Sequence, residues 1–368
     1  MPKSKAFQAG LWVLLVFLII LVGTYISFIF RPLVVLISTV FFPVLIAGIL
    51  YYLTSPIVNW IHSKKVPKSL AILSIYIVLL GLLTLVLLYL GPIVQLQLLS
   101  LIENAPRFLS YVHQTFMGLE ENPAFERFRE TDTFERWQDI DYEAEVQRLV
   151  AGVMNQAYYL VGFIANALII AFTIPLILFY MLKDGHKLPK AIVRYLPDEY
   201  EEEGLKILAQ MDKAISAFVQ GQLIVCLFVG IMVYLAYIII GLEYALLLAL
   251  IAMVTNVIPF FGPVIGTIPG IIVGLIHSPW VALQVFVAVL IIQQIESQVI
   301  SPQVLGRKLA IHPITIIIVI LTAGSLAGIL GMLLAVPAYA VGKVVLISTY
   351  SLIKLRMAAK KLGGNNDY

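Results

Sequence analysis

Residues 245–276 read ALLLALIAMVTNVIPFFGPVIGTIPGIIVGLI. The run is apolar throughout, yet Pro259-Phe260-Phe261-Gly262-Pro263 interrupts its middle and Gly266, Pro269, Gly270 and Gly274 follow closely. A helix crosses a bilayer core in roughly 20 residues, so this run is too long for one plain span. Proline removes an amide donor and its ring clashes with the preceding turn, so the helical ladder fails at 259–263. Broken backbone at membrane depth is tolerated only where protein or a water-filled cavity satisfies it. The plain alternative is a kink in one long helix; the pattern points instead to a segment that enters, breaks and returns.

The rest of the chain has the same solvent. Of 368 residues, 61% are hydrophobic and 12% charged, which excludes an ordinary soluble domain. Eight apolar runs, at about 10–30, 33–61, 69–90, 156–182, 217–241, 245–276, 280–300 and 311–350, give an all-α, polytopic integral membrane fold. Lys3 and Lys5 precede a first run too long for a signal-peptide core and without a small-x-small cleavage site, so that run reads as a retained span. Lysines and arginines gather at Lys3 and Lys5, at Lys64, Lys65 and Lys68, at Lys183, Lys187, Lys190 and Arg194, and near the end at Lys354, Arg356, Lys360 and Lys361. Basic short loops stay inside, so both termini are expected on the cytoplasmic side. Net charge is only +3 and the basic residues lack aromatic interleaving, which excludes a nucleic-acid footprint. Cys226, the only cysteine, sits in an apolar run and forms no internal disulfide.

Residues 92–155 hold eleven acidic residues, five arginines and no lysine, which favours the outer side. Val146, Leu149, Val150, Val153 and Met154 recur at helical spacing there, and Asp132 with Glu135 resembles a capping box. Asp198–Glu203 followed by Leu205, Leu208, Met211, Ile215 and Phe218 reads as a capped amphipathic helix leading into the fifth span. The expected organisation is therefore membrane helices at 1–91, an extracytoplasmic amphipathic segment at 92–155, a fourth span plus cytoplasmic amphipathic helix at 156–216, a transport core at 217–350 and a tail at 351–368.

The eighth run repeats the anomaly of the sixth, with Gly324-Ser325, Gly328, Gly331 and Pro337 inside it. Were both runs straight spans, Arg307 and Lys308 would face outward, against the positive-inside tendency. Two re-entrant helical hairpins, entering from opposite sides, remove that conflict and make an inverted repeat. The spacing of Gly262 and Gly266 against Gly324 and Gly328 is its faint sequence echo. Transporters place their sites where two such broken elements meet.

Glu296 is the one acidic residue deep in an apolar run, within Gln293-Gln294-Ile295-Glu296-Ser297-Gln298. An ionised carboxylate at the bilayer centre costs about 2.5–3.5 kcal/mol, so a proton, a cation, a polar solute or a hydrogen bond must compensate it. Gln294 and Gln298 share a helix face, with Glu296 offset from it. The plain reading is a protonated glutamate joining helices, or one near the membrane surface, since Pro302 follows six residues later.

The stretch Asn256–Gly266, with Gln294 to Glu296, Pro302, Gly306 and His312-Pro313, resembles the autoinducer-2 exporter family, also called PerM-type permeases. The resemblance covers nearly the whole chain in length and span pattern, while its specific motifs lie at about 255–337. It implies a prokaryotic inner-membrane permease that is a homo-oligomer, with a pentamer as its candidate stoichiometry. Members of that family are linked to export of autoinducer-2 and some to exchange of sodium or lithium for protons. It further implies that Pro259, Gly262, Pro263 and Gly266 form a hairpin tip, with Glu296, Pro302, Gly306 and Pro313 completing the core. The expected path comprises these residues with Asn256, Gln293, Gln294, Gln298, His312, Gly324, Ser325 and Gly328.

Two functions compete. Export of a small polar solute suits the amide-rich stretch, because hydroxyl-rich autoinducer-2 needs hydrogen bonds and no fixed countercharge. Cation/proton antiport would use Glu296 as the exchanging carboxylate. An intramembrane hydrolase with Ser325 as nucleophile and His277 or His312 as base lacks a recognised nucleophile motif. A scaffold presenting 92–155 leaves the broken helices unexplained. No cofactor and no metal-ligand spacing is expected.

Overall fold

The computed structural model describes residues 10–18, 21, 27–119, 172–304 and 312–363. Regular structure among them is entirely helical. The stretches Thr39–Ser63, Lys68–Asn104, Glu201–Ile240, Pro279–Val304 and Ile314–Ile347 are long and apolar enough to cross a membrane. Most of the predicted fourth span, the 132–154 pattern, Arg307 and Lys308 lie outside the described residues.

Helix α1 (Ser27–Ser63) and helix α2 (Lys68–Leu119) are joined by a tight turn, in which Lys65 takes a positive φ of 70°. α2 continues through Gly91-Pro92 without ending. Helix α3 (172–184) packs on both: Ala47 and Val58 of α1, Ala71, Ile72 and Ile75 of α2, and Leu178 and Leu182 of α3 form one buried cluster. The Tyr76 hydroxyl donates to the Pro175 carbonyl at 2.5 Å.

After the short helix α4 (Leu188–Val193), the amphipathic stretch and the fifth span prove to be a single helix, α5 (Glu201–Ile240). The expected side-chain cap is absent: Tyr200 is the N-cap residue and its side chain makes no capping bond. Glu201, Glu202 and Glu203 in the first turn instead offset the partial positive charge of the helix start. α5 stops at Gly241, whose φ of 76° is left-handed.

Helices α6 (Ala245–Thr255) and α7 (Phe261–His277) follow. At 1.5 Å per residue they reach about 16 and 25 Å, short of a core of roughly 30 Å. They lie antiparallel and close. A methyl group at Gly262 would overlap the Thr255 carbonyl, and one at Gly266 would overlap Ala252. Helix α8 (Pro279–Ile295) turns back again at Ser278, whose hydroxyl accepts from the Val281 amide at 3.2 Å. Val229, Val233 and Tyr237 of α5, Leu247 and Leu248 of α6, Val273 of α7 and Val285, Val289 and Ile292 of α8 make the main core.

Helix α9 (Pro313–Gly363) is broken at Ala327 (φ −137°, ψ 18°) and Gly328 (φ 60°, ψ −142°). Gly331 stands against the Ala323 carbonyl, although eight residues of straight helix would separate them by about 12 Å. The chain therefore doubles back here, and Ile314–Ile347 is two antiparallel limbs. The expected glycine echo needs correction. The expected pairing sets Gly262 against Gly324 and Gly266 against Gly328; the backbone approach at Gly262 is matched instead at Gly331, Gly324 meets the Met332 side chain, and Gly328 has open space around it and supplies the turn. Only a backbone without a side chain fits the close approach, and only a residue at ease with positive φ fits the turn.

Gly262→Ala and Gly331→Ala should each lower the melting temperature of the purified protein, by an amount equivalent to about 1–3 kcal/mol. Gly81→Ala, where an added methyl meets nothing within 4 Å, should leave it unchanged. Equal melting of all three proteins would refute the close packing of the limbs.

Candidate functional site

α5 runs past both reversals and supplies the polar groups that meet them. Gln222, buried on α5, donates from Nε2 to the Asn256 carbonyl at 2.7 Å. Asn256 ends α6 and is itself buried. Its carbonyl has no following helical turn to pair with, so the glutamine amide takes that place.

The tip beyond it is strained. Phe260 has φ 64° and ψ −45°, the Phe261 amide donates to the Pro259 carbonyl at 2.8 Å, and the Gly262 amide donates to Ile258 at 2.8 Å. This is a γ-turn of positive φ at a non-glycine residue, a conformation that costs about 1–3 kcal/mol and persists only where surroundings hold it. The Pro263 carbonyl accepts from the Thr267 hydroxyl at 2.6 Å.

The surroundings include the second reversal. Ile258 from the first tip is buried with Ile320, Ala335 and Val336 of α9 and Phe218 of α5. Phe261, Ala323 and Met332 pack around them. The two breaks, some 70 residues apart in sequence, share one apolar contact on the face of α5.

Glu296 closes α8 and opens a wider π turn that runs to Ile300. Such turns within α-helices concentrate at functional sites because they redirect side chains. The Ser301 hydroxyl donates to Oε1 of Glu296, which is half-buried. Cys226 is buried one helical turn after Gln222 on α5. Helix arithmetic places these groups at one level. Gln222 lies about 27 Å along α5 from Ile240, and Glu296 about 26 Å along α8 from Pro279. With a core of roughly 30 Å, that level is far from the Gly241 and Ser278 end.

The other expected residues are distributed more widely. Gln298 donates to Gln294 at 2.8 Å along one helix face, and both are exposed, while Gln293 is half-buried. Pro302 is exposed on Ser301–Val304, and Pro313 opens α9. His312 is exposed and its Nδ1 accepts from the Ile314 amide at 3.4 Å. Ser325 donates to the Thr322 carbonyl at 2.8 Å, and Gly324 faces Met332. Gly306 lies outside the described residues. Gln222 and Cys226 were not anticipated. The signal for Gln222 was present as Gln220 and Gln222, two amides in an otherwise apolar span. Among the described residues no three His, Cys, Asp or Glu side chains form a group able to hold a metal ion. The chemistry on offer is a set of amide donors and acceptors, one carboxylate and strained backbone.

Residues 14–351 match the family model described as "AI-2E family transporter". The chain is 41% identical to "Putative transport protein YueF" of Bacillus subtilis over 98% of each chain. It is 34% identical to YrrI of the same organism, a protein of the same printed description, over 94% of this chain and 97% of that one. Identity to YhhT of Escherichia coli, again described as a transport protein, is 24% over 79% of each chain. These similarities are to transporters, not enzymes, and with the apolar helices of membrane-crossing length they make this a multi-pass membrane protein.

Gln222→Leu should expose the cost of an unpaired buried carbonyl at Asn256, about 1–3 kcal/mol, as a lower melting temperature. Gln220→Leu loses a bond to the Tyr52 carbonyl outside this site, so it serves as a comparison. Its melting should fall as well, but only Gln222→Leu should change the reactivity of Cys226 towards a membrane-permeant maleimide.

Proposed function

The chain belongs to the AI-2E family of transporters, and from that premise we propose that it is a permease exporting a small polar solute such as autoinducer-2. The observation that carries this reading is the meeting of two chain reversals on α5, where Gln222 donates to the Asn256 carbonyl; Glu296, at the π turn that ends α8, lies at about the same height along its helix. Substrate-sized polar groups need donors and acceptors inside an apolar wall, and interrupted backbone provides them without a full charge. In this reading both reversals are re-entrant hairpins of opposite sense, and the predicted path residues from Asn256 to Gly266 and from Gln293 to Gly328 line the route. Asn256 and Glu296 bind the solute, and the strained Phe260 turn makes the tip the part that yields. Both termini are cytoplasmic and the protein works in the cell membrane as a homo-oligomer.

Proteoliposomes test the proposal. Wild-type vesicles loaded with autoinducer-2 should release it faster than empty liposomes do. Asn256→Ala and Glu296→Gln should slow release by about tenfold, the scale of one lost hydrogen bond to a charged or buried partner. Release no faster than from protein-free vesicles would remove autoinducer-2 as substrate. Sodium-dependent proton movement that is lost in Glu296→Gln would replace export by antiport.

A further inference from the structure

Two basic runs that are distant in sequence meet at one corner of the molecule. Lys68 Nζ donates to the Lys183 carbonyl at 3.1 Å, across 115 positions. This ties the start of α2, which follows Lys64 and Lys65 in the turn, to the end of α3, from which Lys187, Lys190 and Arg194 follow around α4. The turn is fixed. The Lys64 and Lys65 amides bond to Ile61 and His62, and His62 Nδ1 lies 2.8 Å from the Val66 carbonyl. Of these seven cations Lys187 is engaged by Asp184 at 2.6 Å. Lys64 and Lys183 lie over the rings of Trp60 and Phe179, at 5.7 and 5.5 Å, which leaves their charge intact. The acidic run Asp198–Glu203 begins beyond Pro197, and within it Glu202 is paired with Lys206 at 2.7 Å.

The corner is also apolar. Trp60 is 64% exposed, Leu188 61% and Tyr195 92%, with Ile192 exposed between the last two. Leu188 and Ile192 share one face of α4, and Tyr195 follows in the turn closed by its amide bond to the Ile192 carbonyl at 3.2 Å, while Lys187 and Lys190 lie off that face. Buried Val193 and the contact of Leu196 with Gly204 pin this segment to α5. α1 ends at Ser63 and α2 begins at Lys68, while α3 ends at residue 184 with Gly185 against the Tyr51 ring of α1. Apolar helices that end in a basic turn mark the edge of the hydrocarbon.

We propose that this corner is a binding site for the headgroup of an anionic phospholipid. The phosphodiester lies against Lys64, Lys65, Lys190 and Arg194, and its acyl chains lie along Trp60, Leu188, Ile192 and Tyr195. A soluble acidic partner would match the charges but would leave these apolar side chains unused. The site is independent of the transport reading, because it lies on the α1–α3 body and α4 and not at the reversals.

The full chain, purified and exchanged into nanodiscs of dioleoylphosphatidylcholine with a minor fraction of dioleoylphosphatidylglycerol, tests this by native mass spectrometry of retained lipid. Wild type should retain phosphatidylglycerol in preference to phosphatidylcholine. Combined Lys64→Gln, Lys65→Asn, Lys190→Gln and Arg194→Gln should abolish the preference, at up to about fivefold for each cation removed. Asparagine is chosen at 65 because it tolerates the left-handed backbone there. Lys64→Arg with Lys65→Arg and Lys190→Arg should keep the preference, which separates charge from folding, and Lys206→Gln with Lys213→Gln should keep it too. An unselective wild type, an unchanged preference in the quadruple variant, or displacement of the lipid by millimolar inorganic phosphate would overturn the proposal.

Discussion

A helix that stops inside hydrocarbon leaves amides and carbonyls with no water to take them, and each unpaired group costs several kcal/mol. On the proposed reading, with both reversals inside the membrane, the C-terminal half of this protein answers that constraint. At the first reversal the groups freed by Pro259 are paired through Phe261 to Pro259 and Gly262 to Ile258, and Gln222 reaches from α5 to the Asn256 carbonyl. α5 is therefore placed where it can serve as wall and as hydrogen-bond donor. Its 40 residues, about 60 Å of helix, exceed any bilayer and let it accompany both reversals.

The same half is tied to the N-terminal body at defined points. Gln97 of α2 accepts from the Leu247 amide at 2.9 Å, and Ser100 and Asn104 reach the Tyr244 hydroxyl, each at 3.2 Å. These bonds hold the base of α6, directly after the left-handed Tyr244. The Tyr52 hydroxyl of α1 donates to Asp212 at 3.0 Å, and Gln220 donates to the Tyr52 carbonyl at 2.8 Å. The first reversal is thus anchored polar at its base and chiefly apolar at its tip, where one buried side-chain bond and the Ile258 cluster hold it. A passenger has least to disturb at the tip, which links the packing to the transport reading.

The breaks themselves were legible because proline and glycine act locally. Pro259, Gly262 and Pro263 announce a failed helix because they fall within five residues, whereas the single prolines of α1 and Gly91-Pro92 of α2 do not end their helices, and Gly324 to Gly331 act by the same accumulation. The division of labour among those glycines was not legible. Gly328 and Gly331 look alike in sequence, yet one turns the chain and the other admits a neighbour, and only the reversal distinguishes them. The acidic start of α5 reads in the sequence as a capped helix leading into the span; the helix does run on, but no side-chain cap forms. A capping bond depends on a side-chain rotamer at one residue, which composition does not determine.

Sequence alone determined the solvent, the helical class, the positions of both interruptions and the isolation of Glu296, since each follows from the chemistry of consecutive residues. Tertiary structure decided which interruption touches which, that Gln222 rather than the exposed Gln294 and Gln298 meets the buried tip, and that lysines 115 positions apart share one corner. Those facts depend on how helices rotate and approach one another. That rotation is set by small differences in packing summed over many apolar contacts, and no single residue announces it.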